Sequence, residues 1–217
     1  NQIINYNIKD KEKKIFLNQF HQNQLLISGY CPKIIILIVS CKNNFEKINF
    51  LRKTLCKEFT NSYFSYYFLI GNNTKTEIVD DILYLNCPDN YMGLPKKIFE
   101  ALKYVNDNLV YDYIYKIDDD VILNPYQMFD LNFLDKDYYG KLAGCVNFDR
   151  TWHYKYDKSR SDKSNFYGFW FGGGFTYFLS YRSVNIIILN SYFFLDYIYE
   201  DKCIGDTVRF FGNINDC

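Results

Sequence analysis

From Lys33 onward the apolar positions follow two regular periods. Lys33 to Ser40 is a nearly continuous apolar run of strand length, the pattern of a strand buried on both faces. Asn44 then opens a stretch with Ile48, Leu51, Leu55 and Phe59 at helical spacing, which predicts an amphipathic helix. Phe64 to Ile70 reads as a second strand ending at Gly71, and Asp81 to Leu85 as a third, shorter one. A second helix begins at Leu94-Pro95, with Pro95 suited to the first turn and Ile98, Leu102 and Val105 on one face. Tyr111 to Ile117 is a strand that runs straight into three carboxylates, Asp118, Asp119 and Asp120.

The second half alternates less cleanly. Tyr139 to Val146 and Gly174 to Ser180 predict strands, separated by a polar stretch from Asn147 to Asn165 that is long for an internal connection. Helices are predicted from Tyr181 to about Asn190 and from Asp201 to Phe211. The first thirty residues are polar and weakly periodic, with Ile15, Phe16 and Phe20 able to form one short helix. This order predicts an α/β fold with a mostly parallel sheet and flanking helices. Residues 1–30 are then a partly helical extension, and 31–217 one domain. In such sheets ligands bind beyond the carboxyl ends of the strands, which is where the three aspartates lie.

Composition narrows the partners. Twenty-five basic residues balance twenty-five acidic ones, so no electrostatic footprint for nucleic acid or an anionic membrane exists. The longest apolar run falls well short of the roughly 20 residues that span a bilayer. An aromatic content of 20% rests on Tyr and Phe and follows the Asn/Ile/Lys-rich bias of A/T-rich codons, so an individual Tyr says little. That bias points to a microbial or large-DNA-virus source. Seven cysteines without a C-x-x-C pair argue against structural zinc and suit reduced thiols.

Three segments carry candidate chemistry. Side chains alternate along a strand, so Asp118 and Asp120 point to one side and Asp119 to the other. Two carboxylates at a strand end suit a hard divalent cation, Mn²⁺ or Mg²⁺, shared with phosphate oxygens. Such adjacent carboxylates repel one another, and Lys116 alone does not balance them; a solvated acidic turn before Asn124-Pro125 is the plainer reading. Phe169-Trp170-Phe171-Gly172-Gly173-Gly174-Phe175 places three glycines between aromatics, either a turn or backbone that approaches a ligand closely. Tyr199-Glu200-Asp201-Lys202 puts a carboxylate pair at a helix start, where free amides stabilise negative charge and keep Asp201 ionised as a proton acceptor.

Taken in order, these segments resemble glycosyltransferase family 31, the β-1,3-galactosyltransferase, N-acetylglucosaminyltransferase and Fringe group. Phe45 to Thr54 resembles N-F-x-x-R-x-x-I-R-x-T-W, with Leu55 where Trp is usual, and Tyr67 to Gly71 resembles F-x-L-G. Asp89, Tyr91, Leu94 and Lys97 match D-x-Y-x-N-L-T-x-K, and Lys116 with Asp118 to Val121 matches K-x-D-D-D-V. Gly172-Gly173-Gly174 to Ser180 is similar to G-G-G-Y-x-x-S, and Glu200-Asp201 with Gly205 to E-D-V-x-x-G.

The resemblance implies a GT-A, Rossmann-like domain with a DxD-type metal site. It implies an inverting transfer of a hexose or N-acetylhexosamine from a UDP-sugar to a glycan hydroxyl, forming a β linkage, β-1,3 in most relatives. By position, Asp120 would ligate Mn²⁺ or Mg²⁺ with Asp118 adding to the shell. Asp118 and Asp119 would lie against the donor, and Asp201 would be the general base. Asp89, Lys97, Trp170, Gly172, Gly173, Gly174 and Glu200 would border the donor or acceptor. Trp170 stands where the family has a Cys, which favours a reducing cytoplasm or viral factory over a Golgi or ER lumen reached through an N-terminal anchor. No His follows His153, so water, phosphate or another residue would complete the metal shell. Lys202 replaces the usual Val and puts a cation beside the proposed base, where it would lower its basicity or bind an anionic acceptor.

Two other readings compete. A nucleotidyltransferase would share metal-assisted diphosphate chemistry, but Ser40-Cys41-Lys42-Asn43-Asn44 has no glycine for a phosphate loop. A catalytically silent sugar-binding domain would keep the fold, but has no need of both Asp120 and Asp201.

Overall fold

The structure, a computed structural model, describes residues 32–59, 64–121, 133–141, 175–195 and 199–212. The predicted extension, the polar stretch from Asn147 to Asn165, and Trp170 with Gly172, Gly173 and Gly174 lie outside the described residues.

Strand β1, Ile34–Val39, is apolar throughout because both of its faces are buried, Ile35 and Leu37 in one core and Ile34, Ile36 and Ile38 in the other. It pairs in parallel with β2, Phe64–Ile70, on one side and with β5, Tyr113–Asp118, on the other. Beyond β2 comes β4, Ile82–Tyr84, also parallel, and then β3, Glu77–Val79, antiparallel at the edge. Beyond β5 come β7, Thr176–Ser180, and β6, Tyr138–Tyr139, both in antiparallel pairings. The sheet therefore runs β3-β4-β2-β1-β5-β7-β6. Its four central strands form the predicted parallel body. Strand β3 escapes sequence pattern because three half-exposed residues show no period. A tight turn joins it to β4, with Asp80 in the left-handed region at φ 55°, a conformation Asp tolerates better than most residues.

Helices cover both faces. Helix α1, Phe45–Lys53, buries Ile48 and Leu51 against one face with Phe68, Tyr115, Ile117 and Phe178. It is shorter than its pattern predicts. Thr54 leaves helical dihedrals, its hydroxyl donates to the Phe50 carbonyl at 2.8 Å, and the chain continues as a 3-10 turn over Leu55–Phe59 that keeps Leu55 buried. The other face carries α2 (Leu94–Asn108), α3 (Tyr181–Leu189), the single turn α4 (Ser191–Phe194) and α5 (Glu200–Gly212). Ile98, Leu102, Val184, Ile187, Ile204 and Val208 pack there against Leu37, Leu69 and Leu83. No helix among the described residues is long and apolar enough to cross a membrane.

Candidate active site at the carboxyl ends of the strands

Strand order reverses at β1. The chain steps outward from β1 to β2 and β4, then returns through α2 to β5 on the far side. A crevice opens at such a switch point because the two neighbouring strands send their connections away from each other. Asp118, Asp119 and Asp120 stand there, at the end of β5. Their backbone is pinned from both sides, with the Asp118 amide donating to Phe175 O at 3.1 Å and the Asp119 amide to Val39 O at 3.1 Å.

The three carboxylates have different environments. Asp119 turns toward α1, where its Oδ2 accepts from Ser40 Oγ at 2.6 Å and Asn44 Nδ2 at 2.7 Å. Its Oδ1 meets Lys47 Nζ at 3.2 Å. Asp118 turns the opposite way, as strand alternation predicts, and its Oδ1 lies 2.8 Å from Lys116 Nζ. Burial, helped by the charges of Asp120 and Asp119, outweighs Lys116 and raises the Asp118 carboxyl above the usual range. Asp120 is exposed. The charge imbalance read from sequence is therefore met partly by Lys47, which local pattern does not mark.

A second layer holds the strand ends together. Asp89 accepts from the Gly71 amide at 3.0 Å and the Lys42 amide at 2.8 Å, and pairs with Lys97. Lys97 also donates to Ser40 O at 2.8 Å. This cluster ties β1, β2 and α2 together. Gly71 is required for the approach: a Cβ there would lie 2.9 Å from Cys87 O and 3.0 Å from Pro88 O. Asp89 and Lys97, placed by the resemblance against the donor, are spent on each other, with side chains only 3% and 4% exposed. Burial pushes the Asp89 carboxyl up, but Lys97 and the two amides outweigh it and the net shift is downward. Its contribution to stability is thus present above the ordinary carboxylate pKa and lost as pH falls through the lowered one. Lys97→Met leaves a buried carboxylate without its cation and should cost roughly 3 kcal/mol. Urea unfolding at neutral pH measures this, and an unchanged midpoint would show that the pair carries no net stability.

Opposite, at the start of α5, Glu200 is 2% exposed and points inward. Tyr177 donates its hydroxyl to Oε1, and Lys116 Nζ lies 3.6 Å from Oε2. Lys116 itself is 1% exposed and also sits 5.5 Å from the centroid of the Tyr177 ring. Burial alone would depress Lys116, but Glu200 and Asp118 reverse this and hold it charged. Burial drives Glu200 the other way, up to about 7, against the pull of Lys116. Asp201 is half-buried beside it, in the first turn of α5.

A family profile described as galactosyltransferase matches residues 46–212. The chain belongs to the galactosyltransferase family. The match begins within α1 and takes in β5, β7 and α5, while β1 and the loop after it precede it. Among curated proteins none matches it. Solved structures similar to this galactosyltransferase-family chain include apo GlyE of Streptococcus pneumoniae TIGR4, a glycosyltransferase, at 12% identity and a TM-score of 0.43. That match covers 85% of this chain but 45% of GlyE. An active-site mutant of LgtC follows at 12% identity, covering 84% of this chain and 72% of its own, with a TM-score of 0.42. The galactosyltransferase LgtC with donor and acceptor sugar analogs gives 10% identity, coverage of 83% and 66%, and 0.37.

Several family-derived expectations take a different form in this galactosyltransferase-family chain. Glu200, expected to border the substrate, is buried under Lys116 and Tyr177. Lys202 is 5% exposed and pairs with Asp206 one turn on, so it offers no surface charge to an anionic acceptor. Cys41, Cys56, Cys87 and Cys203 are free thiols, and burial pushes Cys56 up to about 12, which leaves it inert at neutral pH.

The raised Glu200 value has a consequence for stability. Between its ordinary value of 4.5 and about 7 the folded protein holds a proton that the unfolded chain has released. Stability therefore falls as pH rises through that window. In Glu200→Gln this loss should be smaller between about pH 5 and about pH 8 than in the wild type, measured by chemical denaturation. An identical pH dependence would show that Glu200 does not titrate there. Lys116, Tyr177, Asp118 and Asp201 are the charged or titratable neighbours acting on it.

Proposed function

We propose that the protein transfers a hexose or N-acetylhexosamine from a UDP-sugar to a glycan hydroxyl, with inversion, on a GT-A type scaffold. One observation carries this reading. Lys116 reaches Asp118 at 2.8 Å and Glu200 at 3.6 Å, which supports reading the acidic triplet and the Glu200-Asp201 pair as parts of one site. One end of that site suits a diphosphate and its cation, and the other suits a proton acceptor.

Asp120, exposed and all-oxygen, with the remaining oxygen of Asp118, fits Mn²⁺ or Mg²⁺. Among the described residues no group of three or more His, Cys, Asp or Glu is placed to hold a metal by itself. A cation here would be held by one or two carboxylates and shared with substrate phosphates. When bound, such a cation offsets charge on the leaving diphosphate. Asp201 takes the proton of the acceptor hydroxyl as its oxygen attacks the anomeric carbon, and the bond from that carbon to the UDP oxygen breaks. A single displacement of this kind turns an α-linked donor into a β-linked product.

Two details weigh against the rivals. The loop after β1, where a nucleotide-binding phosphate loop would sit, directs its donors inward: the Lys42 amide to Asp89, and Ser40 and Asn44 to Asp119. A silent domain has no need of both Asp120 at the end of β5 and Asp201 at the start of α5. Calorimetric titration of UDP with Mn²⁺, and again with a chelator, tests the reading. Binding only with metal is expected; no binding in either condition would remove it.

A further inference from the structure

We propose that Lys116 is a positioning residue for transfer: its ammonium, bridging Asp118 on β5 and Glu200 in the first turn of α5, sets where Asp201 stands relative to the acidic triplet. This rests on the transferase reading above and adds a residue to it.

The bridge is poorly built for stability. Burying an ammonium and a carboxylate costs several kcal/mol per ion unless geometry and hydrogen bonding are good. Here the side chains of Lys116 and Glu200 are each 1% exposed, yet they approach only to 3.6 Å. Glu200 Oε2 finds no hydrogen-bond partner among the described residues. A Met-Gln pair of similar volume would serve packing at least as well. What the ions supply is direction. Lys116 lies on a central strand with its backbone locked in the sheet, opposite Leu37 on β1 and Tyr177 on β7. Tyr177, from that neighbouring strand, holds Oε1 of the same carboxylate. Two adjacent strands thus grip the one side chain that immediately precedes Asp201. The charge of Asp201 is also felt at Lys116. A first turn of α5 referenced in this way keeps the acceptor end in register with the donor end, and displacements near 1 Å in such an arrangement cost roughly 10²-fold in rate.

The test separates position from stability. Glu200→Gln, Lys116→Met and the double variant are compared at a pH above the value of about 7 at which Glu200 loses its proton, by thermal unfolding, by UDP affinity with Mn²⁺, and by UDP release from UDP-galactose with water as acceptor. Lys116→Met alone should lower the melting temperature, and the double variant should regain part of it, since fully buried Glu200 is then neutral and only the Asp118 carboxylate, 30% exposed, has lost its cation. Glu200→Gln and the double variant should both release UDP roughly 10-fold more slowly or worse, and in Glu200→Gln the UDP affinity should stay within about threefold of wild type because Asp118, Asp120 and Lys116 are all untouched. Wild-type turnover in Glu200→Gln, or in a double variant of partly restored stability, would overturn the proposal, as would a loss in Glu200→Gln residing wholly in UDP affinity. A wild-type protein that neither binds UDP nor releases it from UDP-galactose would remove the transferase reading and this inference together. Binding and turnover in the wild type with unaffected variants would remove this inference alone.

Discussion

Asp120→Asn is expected to abolish Mn²⁺-dependent binding of UDP while leaving the fold intact. The two halves of that expectation have separate causes. Asp120 is exposed at the end of β5, and a neutral, isosteric change at such a position usually moves stability by no more than about 0.5 kcal/mol. Its negative charge also raises the neighbouring Asp118 carboxyl, so its removal relieves a repulsion. For the cation the same change removes a hard anionic donor and leaves Asp118, whose Oδ1 already lies against Lys116. A diphosphate then has no cation to share, and the attraction between UDP and an acidic crevice turns to repulsion. Titration of the variant with UDP and Mn²⁺, beside a melting curve, decides the point. Undiminished binding in a well-folded variant would remove Asp120 from metal ligation, whereas lost binding with lost folding would place it in the structural frame.

Asp201→Asn should keep UDP and metal affinity but lose transfer by roughly 10²-fold or more, the scale of a positioned general base. Asn has the shape and the first-turn location of Asp and accepts no proton at neutral pH. The variant therefore isolates the chemical step. Asp201 belongs to α5 and the acidic triplet to β5, so UDP held at the triplet should bind the variant as it binds the wild type. An Asp201→Asn protein turning over at the wild-type rate would remove Asp201 from the base role. A loss of UDP affinity in the same variant would instead put its carboxylate on the donor side.

Much of this site is legible in the chain because its parts are local. The alternation of Tyr113 to Asp118 is enough to place Asp118 and Asp119 on opposite sides, and their partners, Lys116 and Ser40, lie on opposite faces of the sheet as that requires. The apolar run of β1 foretells a central strand, and Pro95 marks the first turn of α2. Where local signals are short they fail. Helix α1 ends within one residue, at Thr54, whose amide and hydroxyl both donate to the last turn, and β3 has only three residues.

What no local pattern carries is which charge meets which. Ser40 and Asp119 are separated by 79 residues and touch because the chain returns to pair β5 beside β1. Lys116 meets Glu200 because an antiparallel β7 brings Tyr177 beside it and α5 packs its first turn onto that pair. By itself the sequence determined the order of the strands and helices other than β3 and the single turn α4, the carboxylates at the end of β5 and at the start of α5, and family membership. These are properties of neighbours along the chain, set by backbone period and side-chain type. Only the tertiary structure decided that Asp119 is bound to the β1 loop, that Asp89 is neutralised by Lys97, that Glu200 is buried and that Asp120 stays open to solvent. Electrostatic roles depend on distance and burial, and both are set by strand order in the folded sheet.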